Sequence, residues 1–227
     1  MEKCIRKIIV IVFFILSSKV FCQTSQFDKK IRFNVWADLD AYPEMEYSPD
    51  LKQFDYPIRQ IRKIVPFFMS GLVYGWTFTY VPYDKARGVE EYFEIEEIKA
   101  FDIQSEDVNF TGAKIQDGRF SVWCEYTRNN YQREYYNSWA AIKNPVIHGK
   151  GCGKVSKGFE GYTDGAKEAV KNGVREYYRK IVKNKPKEIS GKILIKDEPL
   201  AGVQDGQYVI NLDFFMECDK IVSYTAY

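Results

Sequence analysis

Residues 164–184 read DGAKEAVKNGVREYYRKIVKN, and this stretch decides the fold. Ala166, Ala169, Val170, Val174, Tyr177, Tyr178, Ile181 and Val182 recur at helical spacing and form one apolar stripe, so the segment is an amphipathic helix with a core-facing side. Asp164 is placed to cap its start, and Pro186 stops the chain from continuing it. Residues 146–155 before it are Gly-rich and strand-like. Residues 189–196 and 207–218 after it are β-branched and aromatic runs, with Asp205-Gly206 as a turn. Residues 144–227 therefore read as a β-α-β-β unit, one helix buried against a sheet.

Working toward the N-terminus, residues 31–40 begin as a strand, because Ile31, Phe33 and Val35 alternate with Arg32 and Asn34. Residues 41–54 are polar and read as a loop. Residues 57–70 place Ile58, Ile61, Ile64, Val65 and Phe68 at helical spacing. Asp55 can cap this shorter helix, Gly71 can end it, and Pro66 should kink it. Residues 72–81 read as a strand with Trp76, Phe78 and Tyr80 on one face. A helical turn is expected at 84–91. Residues 92–103 read as a strand with Phe93 and Ile95 inward and Glu94 and Glu96 outward. Residues 108–115 and 119–127 flank Asp117-Gly118, a hairpin signal, and 132–139 read as an extension of that sheet. The expected class is α+β, with antiparallel-rich sheets, one long helix at 164–184 and one shorter kinked helix at 57–70. Two packed subdomains are expected, 23–143 and 144–227.

Residues 1–22 stand apart. Lys3, Arg6 and Lys7 precede nine unbroken apolar residues, Ile8 to Leu16. That pattern is a secretory signal, too short for the roughly 20 apolar residues that span a bilayer core. A small-x-small site places cleavage after Cys22. The rival reading, a lipid on Cys22, conflicts with Lys19 and the bulky Phe21 near the cut. The whole chain carries 33 basic and 31 acidic residues. Residues 1–22 hold four of the cations and one carboxylate, which leaves 29 against 30 and a net charge of −1. A nearly neutral mature chain argues against nucleic acid as a partner. The export signal makes a disulfide permissible among Cys124, Cys152 and Cys218, but an odd count leaves at least one thiol over.

The chemistry-bearing motifs are sparse. His148 is the only histidine, which removes any multi-His metal site and leaves one candidate for a Cys152–His148 dyad. On a strand, residues four apart lie about 13 Å from each other, too far for a hydrogen bond unless a turn intervenes. The stretch His148-Gly-Lys-Gly-Cys-Gly-Lys154 departs from a phosphate loop in spacing and lacks its hydroxyl residue; its glycines are read as permitting close packing. No cofactor is implied. Glu90, Glu91, Glu94, Glu96 and Glu97 form an acidic run, read as a solvated strand face. Asn109-Phe110-Thr111 matches a glycosylation sequon, meaningful in a eukaryotic secretory pathway. The candidate ligand surface is aromatic: Trp123, Tyr126, Arg128, Tyr131, Arg133, Tyr135 and Trp139, with Tyr136 among them, crowd one short region where ring faces can stack on sugars, peptides or cations.

Residues 73–93 (VYGWTFTYVPYDKARGVEEYF) and 164–189 (DGAKEAVKNGVREYYRKIVKNKPKEI) resemble uncharacterised exported proteins of diderm bacteria. The resemblance implies a periplasmic or outer-membrane-associated setting and brings no catalytic motif. The expected function is that of an exported, non-enzymatic cell-envelope protein that binds or assembles a protein or glycan component. The alternative is a periplasmic hydrolase using carboxylates such as Glu94 or Glu96 on glycan.

Overall fold

The structure, a computed structural model, describes residues 29–41, 54–104, 106–140 and 143–224. The expected export segment, its cleavage site with Cys22 and most of the expected loop at 41–54 lie outside the described residues. In chain order the elements are β1 (Lys30–Asp38), α1 (Asp55–Val73), β2 (Trp76–Val81), β3 (Tyr92–Glu97), β4 (Val108–Gln116), β5 (Arg119–Thr127), α2 (Asn130–Trp139), β6 (Val146–Lys154), α3 (Phe159–Ile181), β7 (Glu188–Ile195), β8 (Leu200–Gln204) and β9 (Gln207–Val222). The protein is α+β, and every strand pair among the described residues is antiparallel.

One sheet has the order β1-β5-β4; the other runs β3-β2-β7-β9-β6, with β8 beside the first part of β9. Strands from either side of residue 143 meet in this second sheet, where β2 pairs with β7 from Trp76 opposite Ile193 to Tyr80 opposite Ile189. Both expected Asp-Gly turns form. Asp117 and Gly118 have φ of 52° and 72°, Asp205 and Gly206 52° and 71°, the positive-φ pair that suits the right-handed twist of a two-residue hairpin.

Helix α1 lies between the sheets. It buries Ile61, Ile64, Val65, Phe68, Met69 and Leu72, a stripe at i, i+3, i+4, i+7, against Phe33 and Val35 of one sheet and Trp76 and Phe78 of the other within one continuous core. Its ends differ from the sequence expectation. Asp55 is the first helical residue, the cap position belongs to Phe54 with φ 75°, and no side chain caps it. Asp55 instead pairs with Arg59 at 3.0 Å, and its charge suits the positive helix start. At the other end the helix runs through Gly71 to Val73, so the following strand begins at Trp76 rather than residue 72. Gly71 is a packing position: a Cβ there would stand 2.7 Å from Ile195 and Trp76. The turn is made at Gly75, φ 84°.

Helix α3 begins at Phe159, five residues before Asp164, and ends at Ile181. Asp164 sits inside it and pairs with Lys157 at 2.9 Å. Of the expected stripe, Ala166, Ala169, Val170, Val174 and Tyr178 are buried, whereas Ile181 is exposed. The stripe meets β6 through glycine. Gly149, Gly151 and Gly153 face the helix so closely that an added Cβ would overlap the backbone of Ala169, Gly165 or Gly161, which is the close approach that glycine in a strand permits. Glu91 and Phe93 at one edge of this sheet and Cys152 at the other line a common cavity beside α3, so the sheet curls around the helix. The β6 edge is also blocked by α3: Glu168 accepts the Cys152 N–H at 2.7 Å and Asn172 donates to the Lys150 carbonyl at 2.9 Å. Edge strands covered in this way cannot recruit a further strand.

The stretch expected to extend the hairpin sheet, 132–139, is helix α2. Asn129 and Gln132 form a capping box, each side chain bonded to the other's backbone N–H at 2.9 Å. Gln132, Tyr135, Tyr136 and Trp139 then recur at helical spacing, and the reciprocal cap outweighs the β preference of the aromatics. The helix lies on the outer face of the second sheet, with Trp139, Tyr135 and Tyr136 against Leu194 and Phe215.

The three cysteines among the described residues are unpaired. Burial pushes the Cys124 thiol up to about 12, whereas Cys218 is exposed. Since the thiolate is the reactive form, iodoacetamide at neutral pH is expected to label Cys218 in the folded protein and to reach Cys124 only after denaturation. Peptide mass mapping reads the order directly.

Candidate functional site

The candidate residues separate into three groups in space. Tyr126 and Trp139 are core, with 4% and 3% of their surface exposed. The Tyr126 hydroxyl lies 2.8 Å from both Glu106 Oε2 and Gln132 Oε1. Burial first, and the Glu106 carboxylate second, raise its pKa to about 12, so the phenol stays protonated. It ties the loop before β4 to the start of α2.

Tyr131 and Tyr135 belong to a second group. With Tyr74, Ile98, Lys99 and Glu106 they line an open groove of about 390 Å³. Four segments build it: the end of α1, the turn after β3, the loop before β4 and the first turns of α2. Tyr131 is 80% exposed and Ile98 43%, so the rim presents apolar surface to solvent. The walls are fixed. The Tyr135 hydroxyl donates to the Tyr74 carbonyl at 3.2 Å, the Tyr74 hydroxyl donates to Glu106 at 3.3 Å, and Lys99 lies 4.7 Å from the centre of the Tyr74 ring. Arg133 points elsewhere and donates to Asn130 at 3.3 Å.

Trp123 and Arg128 form the third group, in a cavity of about 420 Å³ between β1 and the turn from β7 to β8. Arg32 stacks on Trp123 and Arg128 on Tyr136, each guanidinium carbon 4.3 Å from the ring centre. Arg128 is buried and donates to the Leu72 carbonyl at 3.0 Å, at the negative end of α1 where a cation is favoured.

The remaining motifs are dispersed. His148 lies on the outer sheet face with Nδ1 2.8 Å from Asp213 Oδ1, and both side chains are largely exposed. β6 is unbroken from Val146 to Lys154 against β9, so no turn brings Cys152 back to His148. Glu90, Glu94, Glu96 and Glu97 are exposed, and Glu94 and Glu96 line none of the three cavities described. Glu91 is the exception in the acidic run. It accepts from Tyr80 at 3.0 Å and faces Lys171 and Arg175 at 3.6 and 3.8 Å, fastening β3 to α3. Burial, reinforced by this carboxylate, raises the Tyr80 pKa. The Asn109 sequon sits on exposed β4. Among the described residues, no group of three or more His, Cys, Asp or Glu is placed to hold a metal ion, and no helix is long and apolar enough to cross a membrane.

Sequence reasoning found Tyr131 and Tyr135 of one cleft and Trp123, Arg128 and Tyr136 of the other, but missed Tyr74, Ile98, Lys99 and Glu106 in the first and Lys30, Arg32 and Lys196 in the second. These lie far from α2 along the chain and join it only through the packing of α1 and the two sheets. The capping-box pair Asn129 and Gln132, with the helical spacing of Gln132, Tyr135, Tyr136 and Trp139, was the local signal for a helix there.

Fold and clefts together define a two-sheet α+β protein with aromatic-lined surface grooves. A family model matches residues 19–224, and the chain belongs to that family. It is similar to a protein of Treponema pallidum (strain Nichols), itself described as an uncharacterized protein, at 25% identity over 197 residues, covering 87% of this chain and 83% of that protein. No solved structure matches.

Proposed function

We propose that this is an exported, non-enzymatic cell-envelope protein that binds a protein or glycan component of the envelope through the groove between Tyr74, Ile98, Tyr131 and Tyr135. The observation that carries the reading is the groove itself: a concave, mainly apolar surface of about 390 Å³ with a few polar groups, Lys99, Glu106 and Gln132, on its walls. Sites of this make-up bind ligands by apolar contact and orient them by a small number of hydrogen bonds. Tyrosine suits the role, because it offers a large flat surface at little conformational cost and a hydroxyl for orientation. The export half of the proposal rests on the basic and apolar pattern of residues 1–22. A mature mass starting at Gln23 supports secretion, and an added diacyl or triacyl mass on Cys22 replaces it with lipid anchoring.

The binding half is tested in cells. A photo-crosslinking amino acid at Lys99, exposed on the groove wall, is expected to capture one defined envelope component, and the same probe at exposed Lys180 is not. Tyr131→Ala combined with Ile98→Ser should reduce capture about tenfold, the loss expected for two rim contacts, with the circular dichroism unchanged. Equal capture by the double variant removes the groove from the reading.

A further inference from the structure

The end of α3, the connection from β2 to β3 and the segment entering β7 meet at one corner of the molecule. Three contacts tie it together. Lys185 Nζ donates to the Tyr83 carbonyl at 2.9 Å, the Lys187 N–H donates to the Val222 carbonyl at 2.7 Å, and the Arg87 guanidinium lies 4.2 Å from the centre of the Tyr224 ring. Six exposed cations stand here: Lys85, Arg87, Arg179, Lys183, Lys185 and Lys187. Arg179 belongs to this side because it follows by one turn Arg175, which faces Glu91 beside β3. Lys180 does not, since it shares a helix face with Gly173, which meets β6. The carboxylates along these segments are Asp84, Glu90 and Glu188, and Asp84 is taken by Arg87 at 2.6 Å. Among the described residues, no carboxylate lies within ion-pair distance of Lys85, Arg179, Lys183, Lys185 or Lys187. The helix dipole accounts for Arg179 in the last turn of α3, but not for the lysines of the β2–β3 connection and the β7 entry. A mature chain of net charge −1 thus carries three positive charges in excess at one corner. Apolar side chains stand among them: Tyr83, Ile181 and Ile221 are 46%, 55% and 42% exposed.

We infer that this corner docks the protein on an anionic phospholipid surface, with Lys85, Arg179, Lys183, Lys185 and Lys187 facing the headgroups and Tyr83, Ile181 and Ile221 entering between them. The charge complementarity is of the extended kind. Four of the five are lysines, compact hydrated charges on flexible stems rather than planar forks that select one geometry. None of them lines any of the three cavities described, so they meet a partner on open surface. Cations interleaved with exposed rings and aliphatic side chains are the make-up of an interfacial contact, which joins attraction to anionic lipid with shallow apolar insertion. The docked orientation also follows. β2 and β3 pair from Trp76 opposite Glu97 to Val81 opposite Tyr92, and the basic corner lies at the Val81 end. Tyr74 and Ile98 of the tyrosine groove lie at the other end, about 17 Å away along six strand residues. A protein resting on this corner presents its groove away from the lipid. The corner and the groove are independent, and either stands if the other fails.

The test uses the mature chain beginning at Gln23, so that no lipid on Cys22 contributes, and co-flotation with vesicles. Vesicles of phosphatidylglycerol mixed with phosphatidylcholine are compared with vesicles of phosphatidylcholine alone, and soluble heparin serves as a polyanion without a lipid surface. Flotation with the anionic vesicles and none with the neutral ones is expected, weakening as salt is raised. Lys183→Gln combined with Lys187→Gln should weaken the binding about 25-fold, roughly fivefold for each cation removed near the surface. Both positions are exposed, and an unchanged unfolding midpoint shows that the fold is kept. Tyr83→Ser should weaken binding several-fold with the salt dependence unchanged, because it removes apolar contact and leaves the charges in place. If either variant fails to fold, the other decides. No flotation with the anionic vesicles, equal flotation with the neutral ones, or folded variants that bind as the wild type does overturns the proposal. Binding to heparin without flotation overturns it as well, and assigns the corner to an anionic polymer.

Discussion

Gly151→Ala is expected to destabilise the protein by about 3 kcal/mol, the upper end of what overpacking costs. A single methyl group has this effect because of where it would stand. Strand β6 and helix α3 touch backbone to backbone, and a Cβ at 151 would overlap the Ala169 nitrogen and the Gly165 carbonyl oxygen while lying 2.7 Å from the Glu168 carbonyl carbon. No flexible side-chain end is available to yield, so the helix must lift. Lifting it loosens Ala166, Ala169, Val170 and Val174, all buried on the same stripe, and strains the Glu168 bond that closes the β6 edge. Intrinsic propensity works in the opposite direction, since alanine in a strand interior normally gains over glycine by reducing backbone freedom in the unfolded chain. The sign of the result is therefore informative. Gly202→Ala on β8, where a Cβ meets nothing within 4 Å, is the matched control and should stay within about 0.5 kcal/mol of the wild type. Urea unfolding of both variants reads the difference as a shift in midpoint at constant slope. A Gly151→Ala midpoint equal to that of the control would mean that α3 does not ride directly on β6.

The same interface shows what was legible in the sequence. The apolar stripe of α3 and the glycine-rich strand before it were both readable, and both Asp-Gly turns form where expected, the first as the hairpin read there. Element ends were less so, for physical reasons. Gly71 reads as a helix stop because glycine often ends helices, yet here its missing Cβ makes room for Trp76 and Ile195, and the stop comes from Gly75. Asp164 reads as a cap because it precedes the stripe, but the helix has already begun at Phe159, where Gly158 provides the entry with φ 55°. Strand β8 was missed because it is short and lies between two turns. The site was half legible. Neighbours along the chain at 123–139 are placed by alternation and helical period into three separate environments, and the groove's opposite walls arrive from residues 74, 98, 99 and 106. Only the tertiary pairing of α1 with both sheets brings these together.

Trp139→Ala should cost about 3–5 kcal/mol, the range for removing a large buried aromatic, whereas Tyr131→Ala should remain within about 0.5 kcal/mol of the wild type. Both residues belong to one aromatic-rich helix, and burial alone separates them. Trp139 is 3% exposed, packs on Leu194 and Phe215, and meets Tyr135 edge-on with ring centres 6.2 Å apart. Tyr131 stands 80% exposed on the opposite rim. Removing the Trp139 ring leaves a void under the last turn of α2, and the small cluster it anchors has few other members to collapse into the space. The loss passes to the groove, because Tyr135 keeps its place partly through Trp139 and partly through its bond to the Tyr74 carbonyl. Ligand capture should therefore fall in both variants, but with different accompaniments: in Tyr131→Ala with an unchanged unfolding midpoint, in Trp139→Ala together with a large drop in it. Denaturation and capture measured on the same preparations separate contact from support. If Trp139→Ala unfolds at the wild-type midpoint, α2 is not held to the sheet through this ring, and the position of the groove wall must be set by the capping box and the Tyr126 hydroxyl instead.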